Sequence, residues 1–256
     1  MADVAALAAI SVRTAGVLTA TTRQSPEAPV NVFPADPKQV EQSLSSLLAE
    51  LPVAAVKVGM VTNGGVAGAV ADCLAALPAE TPVVVDPVLN AGAGGRLADE
   101  EAVKTLCEAL IPRAKVVTPN IPEAAVLAGM SVQDLPEMEE AADRLRRLGA
   151  RYVLLKGGHL AGDPIDLLAG PEGNRHWRGP RRNGGEVHGT GCTLSALLAG
   201  YLALGLPVAE AADLSIAALR GAITGAWSPR DKGWKFLGPL PIGEENEFGS
   251  SNEVMK

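Results

Sequence analysis

The sequence predicts an α/β fold in which a mostly parallel sheet is covered by helices on both faces. Short, largely apolar runs alternate with longer helical patterns along the chain, and such runs are typical of strands buried on both faces. Repeated strand, helix, strand units require right-handed crossovers between parallel strands. The chain has 256 residues, 47% of them hydrophobic and 20% charged, which is enough material for one large core. We therefore expect a single domain over residues 1–240 and a polar tail over 241–256.

The predicted sheet strands are short runs rich in valine and leucine. Residues 163–178, around DPIDLLAGPEGNRHW, predict a β-hairpin and not a further unit of one strand followed by one helix. The sheet strands are, in chain order, GVLTATT (16–22), VAAVKVG (53–59), PVVVDP (82–87), KVVTP (115–119) and YVLLKGG (152–158).

The predicted helices have recognisable starts and ends. Asp36, followed by a proline, predicts the N-cap of a helix over PKQVEQSLSSLLAEL, with a capping box completed by Gln39. Asp99 is expected to begin another helix. The run EMEEAADRLRRLGA has its acids early and its arginines late, as the helix dipole favours, and is predicted to end at Gly149. Residues 190–226 predict two packed helices.

Charge and cysteine content restrict the partners. There are 29 acidic and 22 basic residues, and the formal net charge of −7 repels nucleic acid and anionic membranes. A basic run, RHWRGPRRNGG from Arg175, is either a solvated loop or a patch that attracts a polyphosphate. No apolar run has the length of a membrane span, and the N-terminus lacks the basic start of a signal peptide. Cys73, Cys107 and Cys192 show no metal-ligand spacing. We expect a cytoplasmic protein that binds neither nucleic acid nor membrane.

Polar residues follow three of the predicted strands. Asp86 and a glycine-rich turn, LNAGAGGRL, follow the third strand, Asn120 and Glu123 follow the fourth, and KGGH ends the fifth. Each alone has an ordinary structural interpretation as a turn, a helix cap or a loop. Ligands of an open parallel sheet bind at the carboxyl ends of its strands, so the shared position of these residues predicts a binding site.

The segment NGGEVHGTGCTLSALLAG, residues 183–200, predicts an anion site. Gly189 and Gly191 bracket Thr190 directly before an apolar helical pattern, so unpaired backbone N–H groups converge at the helix start. The segment is not a common P-loop, because it contains neither GxxxxGKS nor GxxxxGKT. It is also a poor dinucleotide fingerprint, because no strand leads directly into it.

Five segments together resemble one enzyme family. They are, in this order, AVKVGM, VVVDPVLNAGAG, VVTPNIPEAAVLAG, VLLKGGH and HGTGCTLSALLAGYLALG. They look like the hydroxymethylpyrimidine/phosphomethylpyrimidine kinases of thiamin biosynthesis, within the ribokinase-like superfamily, over residues 2–205. The resemblance implies a three-layer α/β/α sandwich, which agrees with the strand and helix pattern, and it implies a homodimer.

The resemblance also implies catalytic roles for the anion segment. Backbone N–H groups of Gly189, Gly191 and Cys192 would stabilise charge on the transferring γ-phosphoryl group of ATP. Cys192 stands where many relatives in the superfamily have an aspartate base. A thiol at a helix N-terminus has a lowered pKa, so Cys192 could act as a base. The alternative is that Cys192 is a structural residue.

Further roles follow from the same resemblance. Asp86 and Glu123 would hold Mg²⁺ directly or through water, because magnesium keeps several waters and takes few carboxylates. Lys156, Asn120 and Thr190 would bind ATP, Asn120 also offering an oxygen to the metal. The alternative for Lys156 is a strand-end lysine that points to solvent.

The implied substrate pocket contains Gln24, Met60 and Val88. The amide of Gln24 can pair with a ring nitrogen and an amino group at once, and an aminopyrimidine offers both.

The resemblance implies a kinase that phosphorylates 4-amino-5-hydroxymethyl-2-methylpyrimidine, its monophosphate, or both. Members of the family normally have a strand and a Gly-Ser-Asp turn before the segment that matches ADVAALAAISVRTAGVLTATT, and we expect such residues upstream of the sequence as given. Two alternatives stay open: a pyridoxal-type vitamin kinase, and a catalytically impaired pyrimidine-binding remnant. A nicotinamide oxidoreductase is less favoured, because no GxGxxG follows the first predicted strand.

Overall fold

A six-stranded sheet forms the centre of the fold. The computed structural model describes residues 2–25, 28–91, 95–181, 187–228 and 235–241. In spatial order, the strands are β3 (Val56–Val58), β4 (Val83–Val85), β5 (Val116–Val117), β6 (Tyr152–Leu155), β7 (Ile165–Gly170) and β8 (Gly173–Arg178). The first four are parallel, and β7 and β8 continue the sheet as an antiparallel hairpin. The predicted mostly parallel sheet and the hairpin over 163–178 are confirmed.

Helices cover both faces of this sheet. Successive residues of a strand point to opposite faces. Val83 and Val85 pack in one apolar cluster with Leu74, while Val84 packs in a second cluster with Leu197. The helices that contribute to the first cluster are α2 (Pro37–Glu50), α3 (Gly64–Ala75), α4 (Glu100–Thr105), a π-helical turn (Leu106–Leu110), α5 (Ile111–Arg113), α6 (Ile121–Ala128) and α7 (Leu135–Arg147). Those of the second are α1 (Ala2–Ala9), α8 (Thr190–Ala203) and α9 (Val208–Thr224).

The predicted helix boundaries agree with the structure. The Asp36 carboxylate accepts hydrogen bonds from the backbone N–H groups of Lys38 and Gln39, and the Asp99 carboxylate caps α4. Gly149, with φ +119°, follows the end of α7. The two helices predicted over 190–226 are α8 and α9. No helix in the described ranges is both long enough and apolar enough to cross a membrane.

The prediction of a sheet strand over residues 16–22 is wrong. Residues 12–19 have no regular structure, and β1 (Ala20–Ser25) pairs antiparallel with β2 (Ala28–Pro34) in a separate two-stranded sheet. Thr21 and Thr22 in β1 are exposed, so this run cannot be buried on both faces. β2 was not predicted, although VNVF alternates partly buried and exposed residues as a one-sided strand does.

A short parallel pair lies at the entrance to α8. It consists of β9 (Val187–His188) and β10 (Lys235–Phe236), and Trp227 exchanges two backbone hydrogen bonds with Phe236. The pair therefore places residues 235–236 beside the start of the predicted anion segment. Residues 183–186 of that segment and 242–256 of the predicted tail lie outside the described residues.

Candidate active site

The carboxyl ends of three parallel strands bring polar side chains together. Asp86 follows β4, Thr118 follows β5 and Lys156 follows β6. The Lys156 ammonium donates to Asp86 Oδ1 at 2.9 Å, and the Thr118 hydroxyl donates to the same oxygen at 3.1 Å. The Lys156 side chain is 15% exposed, so its interpretation as a lysine pointing to solvent is wrong.

Asp86 connects these strand ends to helix α8. The Ser195 hydroxyl, fully buried in α8, donates to Asp86 Oδ2 at 3.0 Å. Burial alone would raise the pKa of Asp86, but the ammonium groups of Lys156 and Lys57, with the hydrogen bonds, outweigh burial and lower it. The carboxylate is therefore charged at neutral pH. Sequence reasoning missed Thr118 and Ser195; the available signal was a hydroxyl at a strand end and another inside an otherwise apolar helix.

Asn120 and Glu123 form the capping box of α6. Asn120 Oδ1 accepts from the Glu123 N–H at 2.9 Å, and Glu123 Oε2 accepts from the Asn120 N–H at 2.8 Å. The buried Glu123 carboxylate also lies 3.9 Å from the Lys156 ammonium. Burial raises the pKa of Glu123 more than the Lys156 charge lowers it. The helix-cap interpretation is confirmed, and the cap lies at the site.

The start of α8 faces the same lysine. Gly189 has φ +84° and precedes Thr190, the first helical residue, without a side-chain cap bond. A Cβ atom on Gly191 would lie 3.0 Å from the Lys156 ammonium nitrogen. Backbone N–H groups without a side-chain cap, next to a fixed cation, form a suitable position for a phosphate group.

Cys192 lies in this first turn and is partly buried. Its predicted lowered pKa is wrong: burial raises the pKa of the thiol, the nearby charges of Lys57 and Lys156 lower it, and those of Asp86 and Asp3 raise it. Sequence reasoning used only the helix terminus, while the burial and the two carboxylates come from distant parts of the chain.

The three predicted substrate residues have different positions. Val88 donates its N–H to the Asp86 backbone carbonyl at 2.8 Å, in the turn that follows β4. Met60 follows β3, and its carbonyl accepts from the Thr19 hydroxyl at 2.7 Å. Gln24 lies on the separate β1–β2 hairpin, where its amide donates to the Thr22 hydroxyl at 3.2 Å. The structure thus places two of them at neighbouring strand ends and the third on the hairpin. Residues 92–94 of the glycine-rich turn lie outside the described residues.

Arginines of the basic run make protein contacts. Arg175 pairs with Asp213 at 2.8 Å and stacks over Trp177. Arg181 donates to the carbonyls of Gly162 at 2.6 Å and Gly158 at 3.0 Å. These two arginines therefore stabilise protein structure, which argues against a polyphosphate role for them. Residues 182–185 of the run lie outside the described residues.

Comparisons of the sequence with known proteins identify the family. The family model described as phosphomethylpyrimidine kinase matches residues 1–235. The chain belongs to this family. It is 37% identical over 241 residues to the hydroxymethylpyrimidine/phosphomethylpyrimidine kinase of Streptomyces coelicolor, covering 91% of this chain and 88% of that protein. It is 44% identical over 196 residues to the thiamine biosynthesis bifunctional protein ThiED of Geobacter sulfurreducens, covering 76% of this chain and 40% of that longer protein.

Solved structures of this family and of pyridoxal kinases share the fold. The phosphomethylpyrimidine kinase of Clostridium difficile is 32% identical, with a TM-score of 0.76 over 87% of this chain and 91% of that chain. The pyridoxal kinase of Bacillus subtilis, in an ADP complex, is 28% identical, with a TM-score of 0.83 over 93% and 90% of the two chains. The pyridoxal kinase of Staphylococcus aureus with AMP-PCP is 26% identical, with a TM-score of 0.83 over 92% and 86%. The predicted ribokinase-like α/β/α fold is confirmed.

Proposed function

We propose that this protein is an ATP-dependent kinase that phosphorylates 4-amino-5-hydroxymethyl-2-methylpyrimidine, its monophosphate, or both. The observation that carries the proposal is the ion pair between the buried Asp86 and the largely buried Lys156, beside the first turn of α8, which has no side-chain cap. Phosphoryl transfer mainly needs positioning and charge stabilisation, and a fixed ammonium with converging N–H groups offers both. The description of the family and the name of the Streptomyces coelicolor relative support the pyrimidine as the acceptor.

In this proposal ATP is a substrate, and the residues around the start of α8 bind its γ-phosphoryl group. Lys156 and the N–H groups at Gly189, Gly191 and Cys192 would bind the γ-phosphoryl group, with Thr190 in the same turn. The substrate oxygen forms a bond to the γ-phosphorus, the bond from that phosphorus to the bridging oxygen breaks, and ADP leaves. When the acceptor is the alcohol, its hydroxyl proton is accepted by a base, for which we propose the Cys192 thiolate; when it is the monophosphate, an ionised phosphate oxygen attacks and has no proton to lose. The ammonium groups of Lys57 and Lys156 favour this thiolate, whereas burial and the carboxylates of Asp86 and Asp3 oppose it and leave the pKa of the thiol raised.

The acidic residues of the site fit a magnesium ion that is held mainly by ATP. No cluster of three or more metal-binding side chains occurs in the described residues. Mg²⁺ usually needs only one or two protein carboxylates, besides substrate phosphates and water. Both Asp86 oxygens accept hydrogen bonds from protein groups, so we propose that Asp86 and Glu123 hold the ion through its waters, near Asn120. When bound, the ion neutralises phosphate charge.

A pyridoxal-type kinase is the second candidate, favoured by the TM-scores of 0.83 to two pyridoxal kinases. ATP consumption with the pyrimidine alcohol, its monophosphate and pyridoxal separates the candidates. We expect turnover with at least one pyrimidine that exceeds turnover with pyridoxal. The reverse order would favour the pyridoxal kinase, and binding of the pyrimidine without ATP turnover would indicate an impaired protein. The proposal also includes a homodimer and a cytoplasmic location; the free state of all three cysteines supports the latter.

Replacement of Cys192 tests the proposed base. Cys192→Ala is expected to lower kcat by about 100-fold or more, because a general base contributes at least that much. Cys192→Asp is expected to retain more activity, because a carboxylate can accept the proton. Steady-state kinetics measure both, with Cys107→Ala as a control outside the site. Equal kcat in the two Cys192 variants would assign the cysteine a structural role.

Replacement of Gln24 tests the proposed pyrimidine contact. Gln24→Leu is expected to raise KM for the pyrimidine about tenfold with KM for ATP unchanged, because polar groups of the ligand lose their partner. Thr22→Val is the matched control, because Thr22 accepts the hydrogen bond that Gln24 makes within the hairpin. An unchanged pyrimidine KM in Gln24→Leu, or an equal rise in Thr22→Val, would argue against a direct contact.

A further inference from the structure

A second ion pair, between Lys57 and Asp3, lies beside the proposed transfer site. Lys57 in β3 donates to both carboxylate oxygens of Asp3 in the first turn of α1, at 3.0 and 2.9 Å. The Lys57 side chain is only 9% exposed, whereas that of Asp3 is 40% exposed. Burying an ammonium group is unfavourable unless a carboxylate compensates for the water that the group loses. Asp3 provides this compensation, and the buried charge of Lys57 therefore indicates a specific role.

The pair connects two segments that border the site. A Cβ atom on Gly59 would lie 2.9 Å from the Lys57 ammonium, so this ammonium lies against the backbone that leads to Met60. At the other end, a Cβ atom on Gly189 would lie 3.7 Å from the Ala2 Cβ, so the start of α1 packs against the left-handed glycine of the anion segment. The pair therefore holds the start of α1 in place beside Gly189.

The charge of Lys57 also acts on Cys192. Four charged groups influence this thiol: the ammonium groups of Lys57 and Lys156 and the carboxylates of Asp86 and Asp3. Among them Lys57 has the largest effect, and it favours the thiolate, opposing the larger effect of burial. The Lys57 charge also helps to lower the pKa of Asp86, the carboxylate that Lys156 contacts directly.

We propose that Lys57 is a positioning residue for phosphoryl transfer. Held by Asp3, it keeps the start of α1 against Gly189 and provides a second fixed cation beside the backbone of Gly59, with Cys192 within the range of its charge. The inference rests on the proposed kinase function only for its effect on turnover. Its effect on the thiol is independent of any substrate.

Lys57→Met is the decisive variant, because methionine keeps most of the buried apolar chain and removes the charge. We expect kcat to fall about tenfold or more, with both KM values within about threefold, because the variant loses the cation that favours the Cys192 thiolate and the contact that holds the start of α1. Iodoacetamide modification of Cys192, followed at fixed pH by peptide mass spectrometry, is expected to slow by a similar factor. The same spectra measure Cys73 and Cys107 as internal references. Lys57→Arg is expected to restore most of both rates.

The control is Arg147→Met, which removes a cation from a surface pair with Glu140 on α7. It is expected to leave both rates unchanged. Unchanged kcat and an unchanged rate of Cys192 modification in folded Lys57→Met would overturn the proposal. If the melting temperature fell while both rates stayed unchanged, the Lys57–Asp3 pair would have only a structural role, which also overturns it. If Lys57→Met does not fold, Lys57→Gln is measured, because glutamine is also neutral but can still donate a hydrogen bond to Asp3: a kcat lowered threefold or more supports the proposal, and a smaller change overturns it. Absence of turnover in the unmodified protein would reject the kinase function, while the modification rates would still decide the effect on Cys192.

Discussion

Gly191→Val is expected to lower kcat by roughly 100- to 1,000-fold while the protein remains folded, the range observed when one donor of an oxyanion hole is lost. The Cβ atom of valine would lie 3.0 Å from the Lys156 ammonium and 3.9 Å from Asp86 Oδ2. Its two methyl groups extend farther, so they displace the ammonium and occupy the space in which we place the phosphate. Gly191 is not one of the glycines with positive φ, so its backbone accepts valine without conformational strain.

The measurement is kcat with ATP and the pyrimidine alcohol, together with the melting temperature. Gly68→Val is the matched control: Gly68 is another helical glycine, in α3, and a Cβ atom there would have no neighbour within 4 Å. The control is expected to retain nearly normal kcat. A folded Gly191→Val protein with nearly normal turnover would contradict the proposed phosphate position.

The general layout of the site could be predicted because it depends on local patterns and one topological rule. Valine-rich runs indicate the sheet strands, and the rule that ligands bind at the carboxyl ends of parallel strands brings Asp86 and Lys156 to one edge. The Asn120–Glu123 cap was recognisable because its members are three residues apart. Such features require no knowledge of tertiary contacts.

The remaining features depend on contacts between distant residues. The Ser195–Asp86 hydrogen bond joins residues 109 positions apart, and the Lys57–Asp3 pair joins residues 54 positions apart. Neither hydrophobic periodicity nor turn chemistry specifies which side chains meet at 3 Å across a fold. The same reason explains the error on the Cys192 pKa, which burial and charged groups in four other chain segments determine. The β1–β2 hairpin was misassigned because its threonines have strand propensity but no burial.

The largest effect on stability is expected for Gly157→Ala. Gly157 follows Lys156 at the end of β6, and a Cβ atom there would lie 1.8 Å from the Ile165 carbonyl oxygen, 2.6 Å from its carbonyl carbon and 2.9 Å from its nitrogen. These are backbone atoms of β7, which pairs with β6, so no side-chain rotation relieves the overlap. The substitution must separate the two strands, and it also disturbs the hydrogen bond from the Gly157 N–H to Asp166 at 3.1 Å.

We expect Gly157→Ala to lower the free energy of unfolding by about 3 kcal/mol or more, the upper range for overpacking, because the overlap is with main chain. Gly158→Ala is the adjacent control, since a Cβ atom on Gly158 has nothing within 4 Å, and it is expected to stay within about 0.5 kcal/mol of the unmodified protein. Urea denaturation followed by circular dichroism measures both. Because Lys156 precedes Gly157, kcat of any folded Gly157→Ala protein should fall as well. Equal denaturation midpoints for the two variants would show that β7 moves away from residue 157 without loss of stability. The pairing of β6 with β7 would then not hold Lys156 in place.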